Sequence, residues 1–324
     1  MVTLQQIAEL AHVSKCAASY AFSENPEKRG KLSEETCARI LGVAEELNYR
    51  PCVAGRGLAM SRGYSLGLLL PKKNVWGFSQ HAMGMFHGIT DAISKSDYNL
   101  PLFFGWSEKL EQNLRQHRLD GLLVVARKLE SPVFRKLSRL DIPVLSLNRV
   151  AWSNRCLSVR TDMDKWADGC LAAFARRGCR RAVLYLRAPA VLSMDAELAR
   201  SFPRLCERRG MDAEVGLLTD FDGTAKPGTA CLFRGIVPQL TRWFEETPDA
   251  VERTAIFSAP EMCFEAGYPL KCCSYHNSTV LGGTGVGVLM DAIEHRENRR
   301  EVLVPCKKAS LSLRTEDTSI QEEF

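Results

Sequence analysis

Paired acids, thiols and imidazoles are the side chains from which most active sites and metal sites are built, and this chain holds all three. Asp162/Asp164 and Asp220/Asp222 are spaced as acid–base dyads could be. Two carboxyls in unlike surroundings can divide their pKa values and act as donor and acceptor, although solvated surface pairs share the spacing. The 12 cysteines are scattered: Cys272 and Cys273 are adjacent, and no two stand as C-x-x-C, so the spacing of a zinc or dithiol site is missing. Six histidines, among them His81, His87 and His117, make no metal pattern. Gly283, Gly285 and Gly287 lack both the G-x-G-x-x-G spacing and the Lys-Ser/Thr of a nucleotide-binding loop, and read as a plain loop. There is no nucleophile elbow and no His-Glu-x-x-His. The expectation is a protein with no catalytic residues, no metal and no cofactor.

The elements that would position these residues follow from size and pattern. A chain of 324 residues with 45% hydrophobic content can bury two or three cores. The net charge of +5 permits a polyanionic partner without requiring one. The first residues carry no basic stretch followed by an apolar run, and no apolar stretch approaches the ~20 residues that span a bilayer. Reduced thiols and a cytoplasmic location, away from membranes, are expected.

The first fifty residues read as short helices. Thr3 and Gln6 form a capping box ahead of Leu4, Ile7, Ala8 and Ala11. Ser14 caps a second helix through Ala21-Phe22, residues 24–30 read as a loop, and Ser33 caps a third with Cys37, Ile40, Leu41, Ala44 and Leu47 on its buried stripe. After Gly63 the pattern changes to short apolar runs at 66–70, 100–104, 122–125 and 142–147, separated by helix-like segments. It restarts at 182–186 and continues through 214–218 and 254–257. Such alternation implies parallel sheets covered by helices on both faces.

Three short helices with Val13-Ser14 at the turn fit a helix-turn-helix, whose second helix would enter the major groove. Lys15, Cys16 and Tyr20 would then face bases, and Ser14 and Ser19 phosphates. An ordinary helical hairpin with a solvated face fits the spacing equally well. The residues themselves are more specific. The stretch from Val2 to Ser14, and Ala44-Glu45-Glu46-Leu47-Asn48-Tyr49-Arg50-Pro51, resemble the two ends of the DNA-binding region of the lactose/galactose-repressor family. The resemblance implies a hinge helix after Pro51 with Leu58 as a minor-groove wedge and Arg56 and Arg62 near phosphates. The expected DNA-binding set is Thr3, Ser14, Lys15, Cys16, Ala17, Ser19, Tyr20, Arg56 and Leu58. Departures from the family pattern include Ala17, Tyr20, Cys52, and Gly55 and Gly57 within the hinge, which point to a hinge that folds only on DNA and to an altered operator.

Past Pro71 the resemblance thins, through Leu119–Val124, Ile142–Arg149, Phe174–Ala182, Val302–Pro305 and Leu313–Thr315. It implies a periplasmic-binding-protein-like sensor of two α/β subdomains, 64–157 and 158–290, with the C-terminal segment crossing back. With a helix-turn-helix at 1–50 and a hinge at 51–63, this gives an all-α head on an α/β two-subdomain body. A small effector, typically a sugar or nucleobase in the family, would lie at the C-terminal ends of the strands. The expected effector set is Trp76, Phe78, Asn148, Arg149, Asp162, Arg200 and Glu261. The family's acidic Asn-Asp pair is expected after Ala255-Ile256-Phe257, where this chain has Pro260-Glu261, and its Gly-Phe-Asp stretch at Leu281–Thr284.

The resemblance thus implies a homodimeric transcription regulator, in the repressor mould. It would bind a pseudo-palindromic operator in double-stranded DNA under control of a small molecule, a carbohydrate among the candidates. Two other readings fit the sequence: a regulator whose large domain only dimerises, and a sugar-binding or sugar-handling protein of the same fold.

Overall fold

The computed structural model describes residues 2–23, 26–49, 62–71, 80–125, 131–187, 194–247, 249–296 and 299–308. They fall into two compact units, Met1–Tyr64 and Ser65–Phe324.

The first unit is helical. Its helices are α1 (Leu4–Leu10), α2 (Lys15–Ala21), α3 (Pro26–Arg29) and α4 (Glu34–Glu46). Each long start is capped by the expected hydroxyl. Thr3 Oγ1 accepts from Gln6 N at 3.3 Å while Gln6 Oε1 accepts from Thr3 N at 2.9 Å. Ser14 Oγ accepts from Ala17 N at 3.1 Å, and Ser33 Oγ from Thr36 N at 3.2 Å. These bonds satisfy N–H groups that a helix start leaves without a partner. Ile7, Ala8, Ala18, Ala21, Ile40 and Ala44 close the core. The small alanines let α1 and α2 approach. Within the stretch read as a loop, Pro26–Arg29 forms a single helical turn; a proline at the first helical position is pre-set for it.

The second unit holds two six-stranded sheets. The first has the order β11-β5-β4-β3-β1-β2, with β1 Leu66–Leu70, β2 Leu102–Phe104, β3 Gly121–Val124, β4 Val144–Leu147, β5 Cys156–Thr161 and β11 Glu301–Val304. Its described pairs are all parallel. The second has the order β12-β10-β9-β8-β6-β7, with β6 Arg181–Leu186, β7 Asp212–Leu217, β8 Thr229–Phe233, β9 Thr254–Phe257, β10 Cys273–Tyr275 and β12 Lys307–Lys308. Only β12 runs antiparallel there. The chain passes between sheets after Thr161, after Tyr275 and after Val304, so the first passage lies beyond the 157/158 boundary read from sequence.

Two differences from the sequence reading bear on the site. Strand β8, fully buried, is absent from the sequence reading, because Thr229-Ala-Cys-Leu-Phe opens on a threonine directly after a Lys-Pro-Gly turn. The glycines at 282, 283, 285 and 287 lie in a helix, Ser278–Ile293, and not in a loop. The reason is packing. This helix crosses Gln80–Ser94 so closely that a Cβ on Gly88 would overlap the Thr279 carbonyl, and one on Gly282 the Met85 carbonyl.

The connection from β7 to β8 is short for a parallel crossover, which ordinarily takes a dozen or more residues and a helix. Here it contains one 3-10 turn, Leu218–Asp220, and is pinned by fully buried Phe221 against Phe233 and Trp243. The connection adds no helix over β7, which stays largely exposed on the sheet edge.

Candidate nucleic-acid interface and ligand cleft

Helix α2 owes its presentation to its neighbours. Ala18 and Ala21 face the core, leaving Ser14, Lys15, Cys16 and Ser19 exposed and Ala17 and Tyr20 half-buried. The turn before it is set by His12, which takes a left-handed conformation (φ 52°) and lets Val13 N reach the Ala8 carbonyl at 2.9 Å. From α4, Arg39 Nε donates to the Ala11 carbonyl at 3.1 Å, fixing α1 and α2 on α4. Thr3 is exposed at the start of α1, its hydroxyl engaged in the capping box. Lys31 places its ammonium 5.7 Å from the Tyr20 ring centre. Tyr20 is in addition hydrogen-bonded with Cys16, which raises its pKa. Sequence reasoning missed Lys31; the signal was the basic cluster Lys28, Arg29 and Lys31 in and just after α3. The exposed face is thus cationic and polar, suited to phosphates and base edges. Arg56 and Leu58 lie outside the described residues.

In the larger unit, polar side chains converge where the chain passes between the sheets. Asn148 leaves β4 in a left-handed conformation (φ 53°), which asparagine tolerates. Its backbone N donates to the Val159 carbonyl at 2.7 Å, and the hydroxyls of Ser146 and Ser158 donate to the Arg149 carbonyl at 3.1 and 2.7 Å. So held, the Asn148 amide meets His81 Nε2 at 3.0 Å and Thr161 Oγ1 at 3.4 Å. His81 Nδ1 lies 2.6 Å from Ser278 Oγ, and His276 Nδ1 lies 2.7 Å from Thr161 Oγ1. The two imidazole centres are 4.6 Å apart. On the other side Phe257 sets its ring edge-on to His276 at 4.8 Å, and the Arg234 guanidinium lies 4.6 Å from the Phe257 centre. Arg234 is held by Asp195 at 2.8 Å, both largely buried. His276 keeps a little solvent-facing surface, but protein packs closely around its ring. That desolvation first, then His81 and Arg234, pushes its pKa well below the usual value.

Among the described residues expected to bind an effector, the structure brings Asn148 alone into this group, with Arg149 next to it, stacked 5.0 Å from the Phe134 ring centre. Asp162 caps the helix Met163–Arg176, accepting from Lys165 N at 2.9 Å, and lines a separate groove of about 520 Å³. Arg200 is exposed, with Nε on the carbonyl of Ala196 in its own helix at 3.3 Å. Glu261 lies in the helix Pro260–Glu265, its side chain outside the described set, as are Trp76 and Phe78. β8 precedes β9 in the sheet, and the residues that leave β8 are Arg234 and Gly235. The missed residues His81, Thr161, Asp195, Arg234, His276 and Ser278 come from five separate segments, which no local motif could have joined. Among the described residues no helix is long and apolar enough to cross a membrane.

Residues 3–52 match the family described as bacterial regulatory proteins, lacI family. The chain is 30% identical over 166 residues to the sucrose operon repressor of Klebsiella pneumoniae, covering 50% of this chain and 48% of that one. It is 27% identical over 190 residues to the HTH-type transcriptional regulator IdnR of Escherichia coli (strain K12), covering 57% and 55%. The chain thus spans about half the length of the curated relatives it matches. Over nearly the whole chain, the fold is similar to that of a transcriptional regulator CelR–cellobiose complex (TM-score 0.56, 16% identity, covering 96% and 99%). It is likewise similar to the lac repressor dimer bound to operator and the anti-inducer ONPF (TM-score 0.57, 16% identity, covering 95% and 98%).

Proposed function

The N-terminal unit belongs to the LacI family of bacterial regulatory proteins, and on that premise we propose that the chain is a sequence-specific transcription regulator, acting as a repressor. The observation that carries this reading is α2, capped by Ser14, with Lys15, Cys16 and Ser19 on its open face. Such a helix enters the major groove with its first residues on base edges. Lys15, Cys16 and Tyr20 read bases, while Ser14, Ser19, Lys31 and the start of α1 at Thr3 steady the phosphates. Ala17 offers no hydroxyl to a phosphate. Arg56 and Leu58 extend the contact into the minor groove, and two copies of the chain bind a pseudo-palindromic site.

The large unit senses a small molecule in the cleft at the strand ends. Hydrogen-bonding groups of both senses, the His81 and His276 rings and Phe257 suit a polyhydroxylated ligand such as a sugar, hydrogen-bonded at its hydroxyls and stacked on its face. We assign no catalytic step to these groups. Binding there changes the relation of the two sheets, and DNA affinity changes by the ligand's differential affinity for the two states.

The test is fluorescence anisotropy on the DNA upstream of the protein's own gene against a scrambled duplex, at two salt concentrations. A preference of about 10³-fold or more for the native duplex is expected. Equal, weak and strongly salt-dependent binding to both would reduce the interaction to phosphate attraction and sink the assignment.

A further inference from the structure

The hydrogen bonds in the cleft have a direction, and the direction fixes how many protons the group holds. The Asn148 amide has one acceptor atom and one donor atom. Its Nδ2 faces His81 Nε2 at 3.0 Å and its Oδ1 faces Thr161 Oγ1 at 3.4 Å. His81 Nε2 therefore accepts, and its single proton sits on Nδ1, donated to Ser278 Oγ at 2.6 Å. The Ser278 hydroxyl donates in turn to the His276 carbonyl at 3.3 Å. Thr161 spends its hydroxyl proton on Asn148, so its oxygen accepts from His276 Nδ1 at 2.7 Å. Every bond is satisfied with one proton on each imidazole. A second proton on His81 would face the Asn148 N–H₂. A second proton on His276 would sit on Nε2 and leave the Nδ1 bond to Thr161 in place, but it would put a desolvated positive charge beside Arg234 and 4.6 Å from the centre of the His81 ring.

The location gives this arrangement leverage. Thr161 ends β5 at the first passage between the sheets, and His276 follows β10 at the second. The Thr161–His276 bond ties these two passages together. His81 opens the helix Gln80–Ser94 and Ser278 opens the helix packed against it. The charged groups facing the pair are few. Arg234 comes from the end of β8, with Asp195 of the helix Met194–Glu207 as its partner. From β9, β5 and the end of β4 come Phe257, Thr161 and Asn148, none of which titrates. Among the described residues, the neighbourhood beyond the pair adds the Arg234 cation with Asp195 as its counter-ion.

We propose that His81, Asn148, Thr161, His276 and Ser278 form a proton-sensitive clasp across the hinge, closed while both imidazoles are neutral and released when either takes a second proton. This deepens the sensor reading above and rests on it: acidification shifts the cleft toward the open state in the way an effector does. Protons bind the open state better, so the open-to-closed ratio rises by up to about tenfold per pH unit between the ordinary imidazole pKa and the depressed one.

The experiment uses the full chain without DNA or ligand. Histidine side chains are labelled and titrated by NMR from pH 8 to pH 5, with small-angle scattering in parallel and far-ultraviolet circular dichroism to verify that the chain stays folded. One of the six histidine signals is expected to titrate well below the usual midpoint, with the radius of gyration rising through the same interval. In His276→Asn, whose amide still reaches Thr161, and in His81→Asn, that titration step and the expansion are both expected to disappear. A scattering profile unchanged between pH 8 and pH 5 in the native chain overturns the proposal, as does an identical expansion in the native chain and both variants. Failure of the regulator reading shows separately, as loss of sequence preference in DNA binding at pH 7.5.

Discussion

His12 adopts φ 52° at the turn between α1 and α2, a conformation that costs an L side chain roughly 1–2 kcal/mol. Glycine adopts it freely but loses more backbone entropy on folding. His12→Gly is therefore expected to stabilise the N-terminal unit by about 0.5–1 kcal/mol, read as a raised urea midpoint at unchanged slope. Cys16, two positions past the α2 cap, is exposed, while the other described cysteines are buried or half-buried. Burial pushes the thiols of Cys170, Cys206, Cys231 and Cys272 up to about 12, which leaves them as unreactive thiols at neutral pH. Brief iodoacetamide treatment is expected to label Cys16 ahead of these and to abolish operator binding, and Cys16→Ser to protect it. Retained binding after full labelling of Cys16 would remove α2 from the interface. His276 adds a pH dependence of stability. Its folded pKa lies below the ordinary value because of burial, then His81 and Arg234, so the unfolded chain takes up the proton first. The stability due to the neutral ring is complete above pH ~6.5 and is lost as pH falls through and below that value. Melting curves of the native chain should drop across that interval, with a shallower drop in His276→Asn.

At the scale of elements, the two helices 80–94 and 278–293 make the most sensitive contact. Gly88→Ala would drive a methyl group into the Thr279 backbone, where no side chain can yield. It is expected to cost about 1–3 kcal/mol despite the better helix propensity of alanine. Gly287, on the helix 278–293, has open space where a Cβ would stand, and Gly287→Ala should gain up to ~1 kcal/mol. Opposite signs in denaturant unfolding are the check. The same helix shows where the sequence stopped being legible. A run of glycines is a loop by local propensity, and only a second helix brought from residues 80–94 by tertiary packing makes it the flat face of a helix. The capping hydroxyls of Thr3, Ser14 and Ser33 were legible because a cap bonds within three residues of itself. β1, β3, β4 and β6 were legible because each is a continuous apolar run. β8 is as buried and as long as most of these, but it opens on Thr229 directly after a Lys-Pro-Gly turn, and the sequence reading does not contain it. Asn148 could be picked out at a strand end; His81, Thr161 and His276 could not, since what makes them a group is the meeting of segments far apart in the chain.

For the whole molecule, a dimeric regulator acts through phosphate contacts that add across both copies and base contacts that discriminate. Lys15 and Lys31 separate these roles. Lys15 opens α2, the helix proposed to reach base edges, while Lys31, proposed to meet a phosphate, stands beside the Tyr20 ring. Each phosphate contact neutralised by a lysine releases about one condensed counter-ion, so binding falls with salt in proportion to the number of such contacts. Lys31→Ala in a dimer removes two of them. It should flatten the slope of log affinity against log salt by about two while weakening native and scrambled duplexes alike. Lys15→Ala should instead cost about 1–3 kcal/mol per half-site on the native duplex and much less on the scrambled one, narrowing the ratio between them. Anisotropy titrations of both variants at four salt concentrations measure the two effects on one protein preparation. If Lys31→Ala changes the slope by about one, a single copy of the chain engages each duplex, and the pseudo-palindromic arrangement is wrong even where the recognition helix is right. If Lys15→Ala leaves the native-to-scrambled ratio intact, sequence is read elsewhere, by the remaining side chains of α2 or by the deformability of the operator itself.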